Sequence, residues 1–230
     1  MLFGAIALLW HDADTWQTLI LIRGLPLGAA IGGFLMGAQI AGGIGIQHPR
    51  TVHAASIVLG IVYASFSLAC VPGIAGAPKV YEHYGSFFEQ FALLSGAVAL
   101  YAATETNAAR ALAFGRAARL GLGACAVSFT LSQIIYPRQT ASLVPTWIPP
   151  GRMFWAVLTT IAFALAAIAI LMNQKARLAL RLLTLMLVLF GVLVWIPRLI
   201  AHPEAHFNWS EFCLTMLIAG ASWLVADSIR

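Results

Sequence analysis

Charge is what this sequence has least of. Lysine and arginine number 13 and aspartate and glutamate 8, together 9% of 230 residues. Water-soluble domains carry roughly a quarter. So few charges exclude an ordinary cytosolic enzyme, and with 61% apolar residues they exclude intrinsic disorder as well. Cysteine is scarce: Cys70, Cys125 and Cys213 are an odd number without a C-x-x-C pair. That excludes a disulfide framework and a thiol relay, and leaves three small buried apolar side chains. A phosphate loop, a nucleophile triad and paired catalytic carboxylates are all missing. The net charge of +5 is spread singly or in sparse groups at segment ends, which excludes nucleic-acid binding.

What is present is long apolar runs. A bilayer core of roughly 30 Å needs about 20 apolar residues in a helix. Seven stretches reach that length: 26–46, 52–72, 84–103, 116–137, 152–172, 177–197 and 209–228. Helices alone satisfy their backbone in lipid over runs this continuous. The expected fold is therefore all-α, a polytopic transmembrane bundle of seven full spans. Met1–Trp10 is apolar but about half a span long, with no basic flank or cleavage site of a signal peptide. It reads as a truncated first span, and apolar codons are expected in frame upstream of Met1.

The breaks between spans recur. Leu25-Pro26-Leu27-Gly28 resembles Ile148-Pro149-Pro150-Gly151, and the pair Pro72 and Pro78 precedes Pro197 and Pro203 by 125 positions. Arg50 and Lys175 match at the same offset. Leu93-Leu94-Ser95-Gly96-Ala97 echoes Leu217-Ile218-Ala219-Gly220-Ala221 at 124. Two parallel four-helix repeats are expected, residues 1–105 with a shortened first helix and residues 116–230. Eight basic residues (Arg50, Arg110, Arg116, Arg119, Lys175, Arg177, Arg181, Arg230) fall on one side and five (Arg23, Lys79, Arg138, Arg152, Arg198) on the other. The positive-inside rule puts the first group and the C-terminus in the cytoplasm, with the proline-rich loops outward from a cell (inner) membrane. Asp12, Asp14, Glu82, Glu89, Glu204 and Glu211 favour the outer side. Gly24, Gly28 and Gly32, and Gly33 and Gly37, have the four-residue spacing of a closely packed helix.

Leu143-Val-Pro-Thr-Trp-Ile-Pro-Pro-Gly151 followed by Arg152-Met-Phe-Trp155 resembles the loop and helix start of DoxX-like membrane proteins. Ala176-Arg177-Leu178-Ala179 through Ile196-Pro197-Arg198-Leu199 is similar to that family's third helix. Trp209 and Ala219-Gly220-Ala221-Ser222-Trp223 are similar to its fourth. The likeness covers about 120–228, and the first half resembles a diverged second copy. It implies a duplicated four-helix unit acting as a quinone-facing or anchoring subunit of a membrane redox system, beside a soluble or peripheral redox partner. Relatives carry His near the outer end of the first helix, where this chain has Gln133.

Ionisable groups inside spans point to function. Glu89 suits proton relay or a hydrogen bond to a quinone headgroup; the alternative is an interfacial carboxylate reaching water or Lys79. Arg152 and Arg198, beside Trp147, Trp155, Trp195 and Trp209, frame a pocket for a polar-headed cofactor such as quinone, or else an aromatic belt with snorkelling arginines. Glu211 reads as interfacial and Gln39 as an interhelical hydrogen bond. His202 and His206 are four apart, but Pro203 breaks the helical face a metal pair needs, so no metal site is expected. Besides the redox reading stands a small-molecule or lipid carrier with no redox activity.

Overall fold

The computed structural model describes residues 1–10, 22 and 24–229. The expectations placed on Asp12, Asp14, Arg23 and Arg230 lie outside these. Nine helices are used here: α1 (Leu2–Trp10), α2 (Gly28–Gly45), α3 (Val52–Gly76, broken at Cys70), α4 (Tyr81–Thr104), α5 (Ala108–Ile135), α6 (Pro137–Leu143), α7 (Arg152–Leu171), α8 (Ala176–Ala201) and α9 (His206–Ser228). Among the described residues, seven are long and apolar enough to cross a membrane: α2, α3, α4, α5, α7, α8 and α9. The protein is a polytopic helical membrane bundle. Its exterior is studded with Phe34, Ile61, Leu165, Leu182 and Ile200, as a surface facing acyl chains requires.

Several polar side chains inside the spans are satisfied locally, while Gln39 Oε1, Gln90 Oε1 and Ser222 Oγ are buried without a partner among the described residues. Ser67, Ser95, Thr130 and Thr184 each donate to the carbonyl four residues back, at 2.8 to 2.9 Å. Gln39 donates to the Tyr63 hydroxyl at 3.2 Å, the interhelical bond expected of it. Cys70, Cys125 and Cys213 are buried, and Cys70 Sγ donates to the Phe66 carbonyl at 3.4 Å.

Three boundaries differ from the sequence reading. Helix α5 begins eight residues before position 116, because Asn107 caps it by accepting from the Arg110 N–H at 3.1 Å. Arg110 and Arg116 are helical residues at a membrane surface, not loop residues. Spans α3 and α8 run past Pro72 and Pro197 to Gly76 and Ala201, since a proline in the first turn of a fresh helical segment needs no N–H donor. In α8 the join is a π-helical turn, Gly191–Trp195. The glycine reading also changes. Gly28 and Gly32 are buried, but a Cβ on Gly33 or Gly37 meets open space. The close approaches of α2 fall instead at Gly42 against Leu59, Gly43 against Met1 and Gly45 against Ala55.

Short connections force successive spans to run antiparallel. Prolines 26, 72, 78, 137, 145, 149, 150, 197 and 203 thus gather at one end, and the Arg110, Arg116, Arg119, Lys175, Arg177 and Arg181 group at the other. Packing is regular. Helix α2 lies against α1 and α3, α3 against α4, α7 against α5 and α8, and α8 against α9. Helix α4 also packs on α5 and α9, and α1 on α9. Helix ends recur at a spacing of 124 to 126 residues: Trp10 and Ile135, Gly45 and Leu171, Gly76 and Ala201, Tyr81 and His206, Thr104 and Ser228. One capping bond recurs as well. The Tyr84 hydroxyl donates to the Pro78 carbonyl at 3.3 Å, and Trp209 Nε1 donates to the Pro203 carbonyl at 3.0 Å.

Candidate functional site

At the proline-rich end a cavity of about 310 Å³ lies among α4, α5, α7, α8 and α9, roofed by α6 and the loop to Ile148. Its position follows from local structure. The π-helical turn brings Leu193, Val194 and Trp195 to its wall, and such turns are common at functional sites. Trp195 is held there by an Nε1 bond to the Thr215 hydroxyl at 3.1 Å. Across from it, Trp155 Nε1 donates to the Pro149 carbonyl at 2.9 Å, fixing the indole in the first turn of α7.

Helix α4 contributes one side chain, Glu89, two turns in from Tyr81 and partly buried. It makes no ion pair with Lys79, which is exposed at the loop. Glu82 and Glu211 are near enough for their charges to act on it. The remaining walls are Phe129, Phe163, Phe190 and aliphatic residues, with hydroxyls and an amide from Ser132, Gln133, Thr140 and Thr159. Gln133 Oε1 accepts from the hydroxyls of Thr160 at 2.9 Å and Thr159 at 3.3 Å, leaving its Nε2 uncommitted. Among the described residues, no Lys, Arg or His lines the cavity. Glu89 is its one ionisable wall group among the described residues.

The other residues singled out from sequence stand elsewhere. Arg152 is exposed at the start of α7, and Trp147 is 67% exposed in the loop. Arg198 lies outside the cavity, donating to the Ser142 carbonyl at 3.4 Å with its guanidinium 5.4 Å from the Trp195 ring centre. The structure therefore brings Glu89 and Trp155 together and leaves the two arginines and Trp147 on the rim or surface. Sequence reading overlooked Thr159, Thr215 and the Gln133 amide as wall groups. Their signal is weak, since single hydroxyls in apolar helices more often bond to their own backbone.

The opposite end is built from charge. Arg119, 9% exposed, donates from one guanidinium nitrogen to the carbonyls of Ile170 and of Leu171, the latter at 3.2 Å. The Ile170 carbonyl also accepts from the Asn173 N–H at 3.3 Å, and the guanidinium adds a second donor to these last carbonyls of α7 and complements the helix dipole. Asp227 pairs with Arg181 at 3.5 Å and Arg177 at 3.8 Å. Between α4 and α5, the Asn107 N–H and the Tyr101 hydroxyl donate to Glu105 at 3.0 and 2.9 Å. Chiefly through the Asn107 bond, its carboxyl is held below the usual range. Three or more His, Cys, Asp or Glu in an arrangement fit for a metal ion do not occur among the described residues; His202 and Glu204 pair with each other at 3.4 Å. No family model, curated protein or solved structure matches the chain.

Proposed function

We propose that this protein binds a small, mostly apolar, ring-bearing molecule in the cavity between α4 and α9, reached from the proline-rich end, and works as a carrier or binding protein of the membrane. The observation that carries this is the cavity itself. It has aromatic and aliphatic walls, a few polar groups at fixed places, and a single carboxyl, which is the composition of a small-molecule site. Most of the wall donors are already committed, which favours a ligand that needs few of them. Both lining indoles, Thr159 and Thr140 already bond to the protein's own atoms, and Glu89 supplies only acceptors when ionised.

A second reading keeps the protein in electron transfer, as a quinone-facing subunit with a soluble redox partner. The free Gln133 Nε2 favours it, because that donor suits one quinone carbonyl. On either reading the frame is a duplicated DoxX-like four-helix unit. The repeated helix ends support this, as do the matched Tyr84–Pro78 and Trp209–Pro203 bonds and the reciprocal packing of α1 on α9 and α5 on α4. Residence in the cell membrane with the arginine-bearing end in the cytoplasm follows the positive-inside rule.

Ser132→Phe tests the binding reading. Ser132 is half-buried and lines the cavity from α5, so the new ring takes up space there. Extraction of co-purified small molecules by solvent, followed by mass spectrometry, is expected to yield a ligand from the natural protein and at most a tenth as much from the variant. Equal yields from both would overturn the reading. An extracted quinone in equal amount to protein would favour electron transfer.

A further inference from the structure

We infer that the cavity selects organic cations, taking an amine or quaternary ammonium with an aromatic or aliphatic body. The inference rests on the reading of this cavity as a ligand site, and adds the sign of the charge the ligand carries. Four observations support it.

Among the described residues, Glu89 is the only ionisable wall group, and it faces the cavity with no cationic partner among them. An acid in a low-dielectric setting is strongly unfavourable as an ion unless something pairs with it. Glu211 on α9 acts on Glu89 with charge of the same sign. Arg198 at the rim is engaged by the Ser142 carbonyl and the face of Trp195.

The walls complete the recognition. Trp155, Trp195, Phe129, Phe163 and Phe190 surround the space with aromatic rings. Rings attract a cation through their faces, most strongly where water is excluded, and an aromatic box with one acid is how quaternary ammonium groups are held. A carboxylate ligand would meet the opposite field, and neither Arg152 nor a free Arg198 is placed to neutralise it. A neutral ring fits the walls but leaves Glu89 unpaired.

The test compares benzyltrimethylammonium with neopentylbenzene, its neutral carbon isostere, by tryptophan fluorescence on the full chain in detergent. The expected result is at least tenfold tighter binding of the cation. Glu89→Gln should reduce cation and isostere to equal affinity while retaining the isostere, which also shows that the variant folds. Glu204→Gln, removing an acid from the loop at the same end, should change neither. Isostere binding as tight as the cation in the natural protein would overturn the cation inference and leave the small-molecule reading standing. A cation preference surviving in Glu89→Gln would overturn it too. Binding of neither probe would overturn both.

Discussion

Gly96 on α4 and Ala221 on α9 meet where the two helices cross. A Cβ built on Gly96 would stand 2.6 Å from the Ala221 Cβ. They are 125 residues apart, the spacing that also separates Pro72 from Pro197 and Tyr81 from His206.

Gly96→Ala forces a methyl into that crossing. Overpacking of this kind costs roughly 1–3 kcal/mol. A lower midpoint of thermal unfolding in detergent is expected, read by light scattering or a thiol dye. Gly220→Ala is the control, since a Cβ there meets nothing within 4 Å. Equal effects from the two would contradict the crossing.

Arg119→Met keeps the bulk in α5 and removes the donors to Ile170 and Leu171. Ile170 keeps the Asn173 N–H as a donor, so the loss falls chiefly on the Leu171 carbonyl, and a carbonyl left unsatisfied costs up to roughly 1–3 kcal/mol. Thermal stability should fall, and amide hydrogen exchange should rise in the last turn of α7, with Arg119→Lys intermediate. Unchanged exchange there would show that the guanidinium is not what ends the helix.

Glu105 carries the pH prediction. Its folded pKa is depressed by the Asn107 and Tyr101 bonds. Its contribution is thus present above the unfolded value and is lost as pH falls through the folded one. Carbon-13 NMR of the carboxyl should show a midpoint below that of an ordinary glutamate (about 4.3). Asn107 is the first residue of the α5 cap, so loosening of the α4–α5 link should follow the same curve, and Glu105→Gln should remove that acid-side transition.

Orientation is open to thiol labelling. The three native cysteines are buried, so the background reaction is low. With the arginine-bearing end in the cytoplasm, a membrane-impermeant maleimide on intact cells should label Gln139→Cys and spare Thr106→Cys, both exposed positions. The reverse pattern would invert the protein.

The spans were legible because lipid leaves apolar length as the main requirement, and six of the seven expected starts lie within three residues of a helix end. The start of α5 was not, because a helix leaving the membrane into water looks like a loop when it carries Arg110 and Arg116. Prolines 72 and 197 look like stops in the sequence. They are re-starts, a difference decided by the hydrogen bond that a first-turn residue does not need. Spacing alone marked Gly33 and Gly37 for packing, yet which face of α2 meets its neighbours is settled by tertiary contacts at Gly42 and Gly45. For the cavity, Glu89 stood out as an acid in a span. Thr159, Thr215 and Gln133 carry no such mark, and the rim arginines drew attention to the surface instead.

Arg119 also bears on how the chain is made. Ribosomes deliver α5 to the membrane before α7, so its guanidinium arrives 51 positions ahead of the Ile170 carbonyl it will bind. Insertion scales put an arginine at a helix centre at about 2.5–3.5 kcal/mol, and Arg119, one turn in from Arg116 at the membrane surface, carries a smaller part of that cost. On its own, α5 thus bears a cation without its acceptors, and nascent chains ending before α7 should insert it less completely. Completion of the following helix supplies the acceptors, which makes the pair, rather than the single helix, the unit of membrane integration.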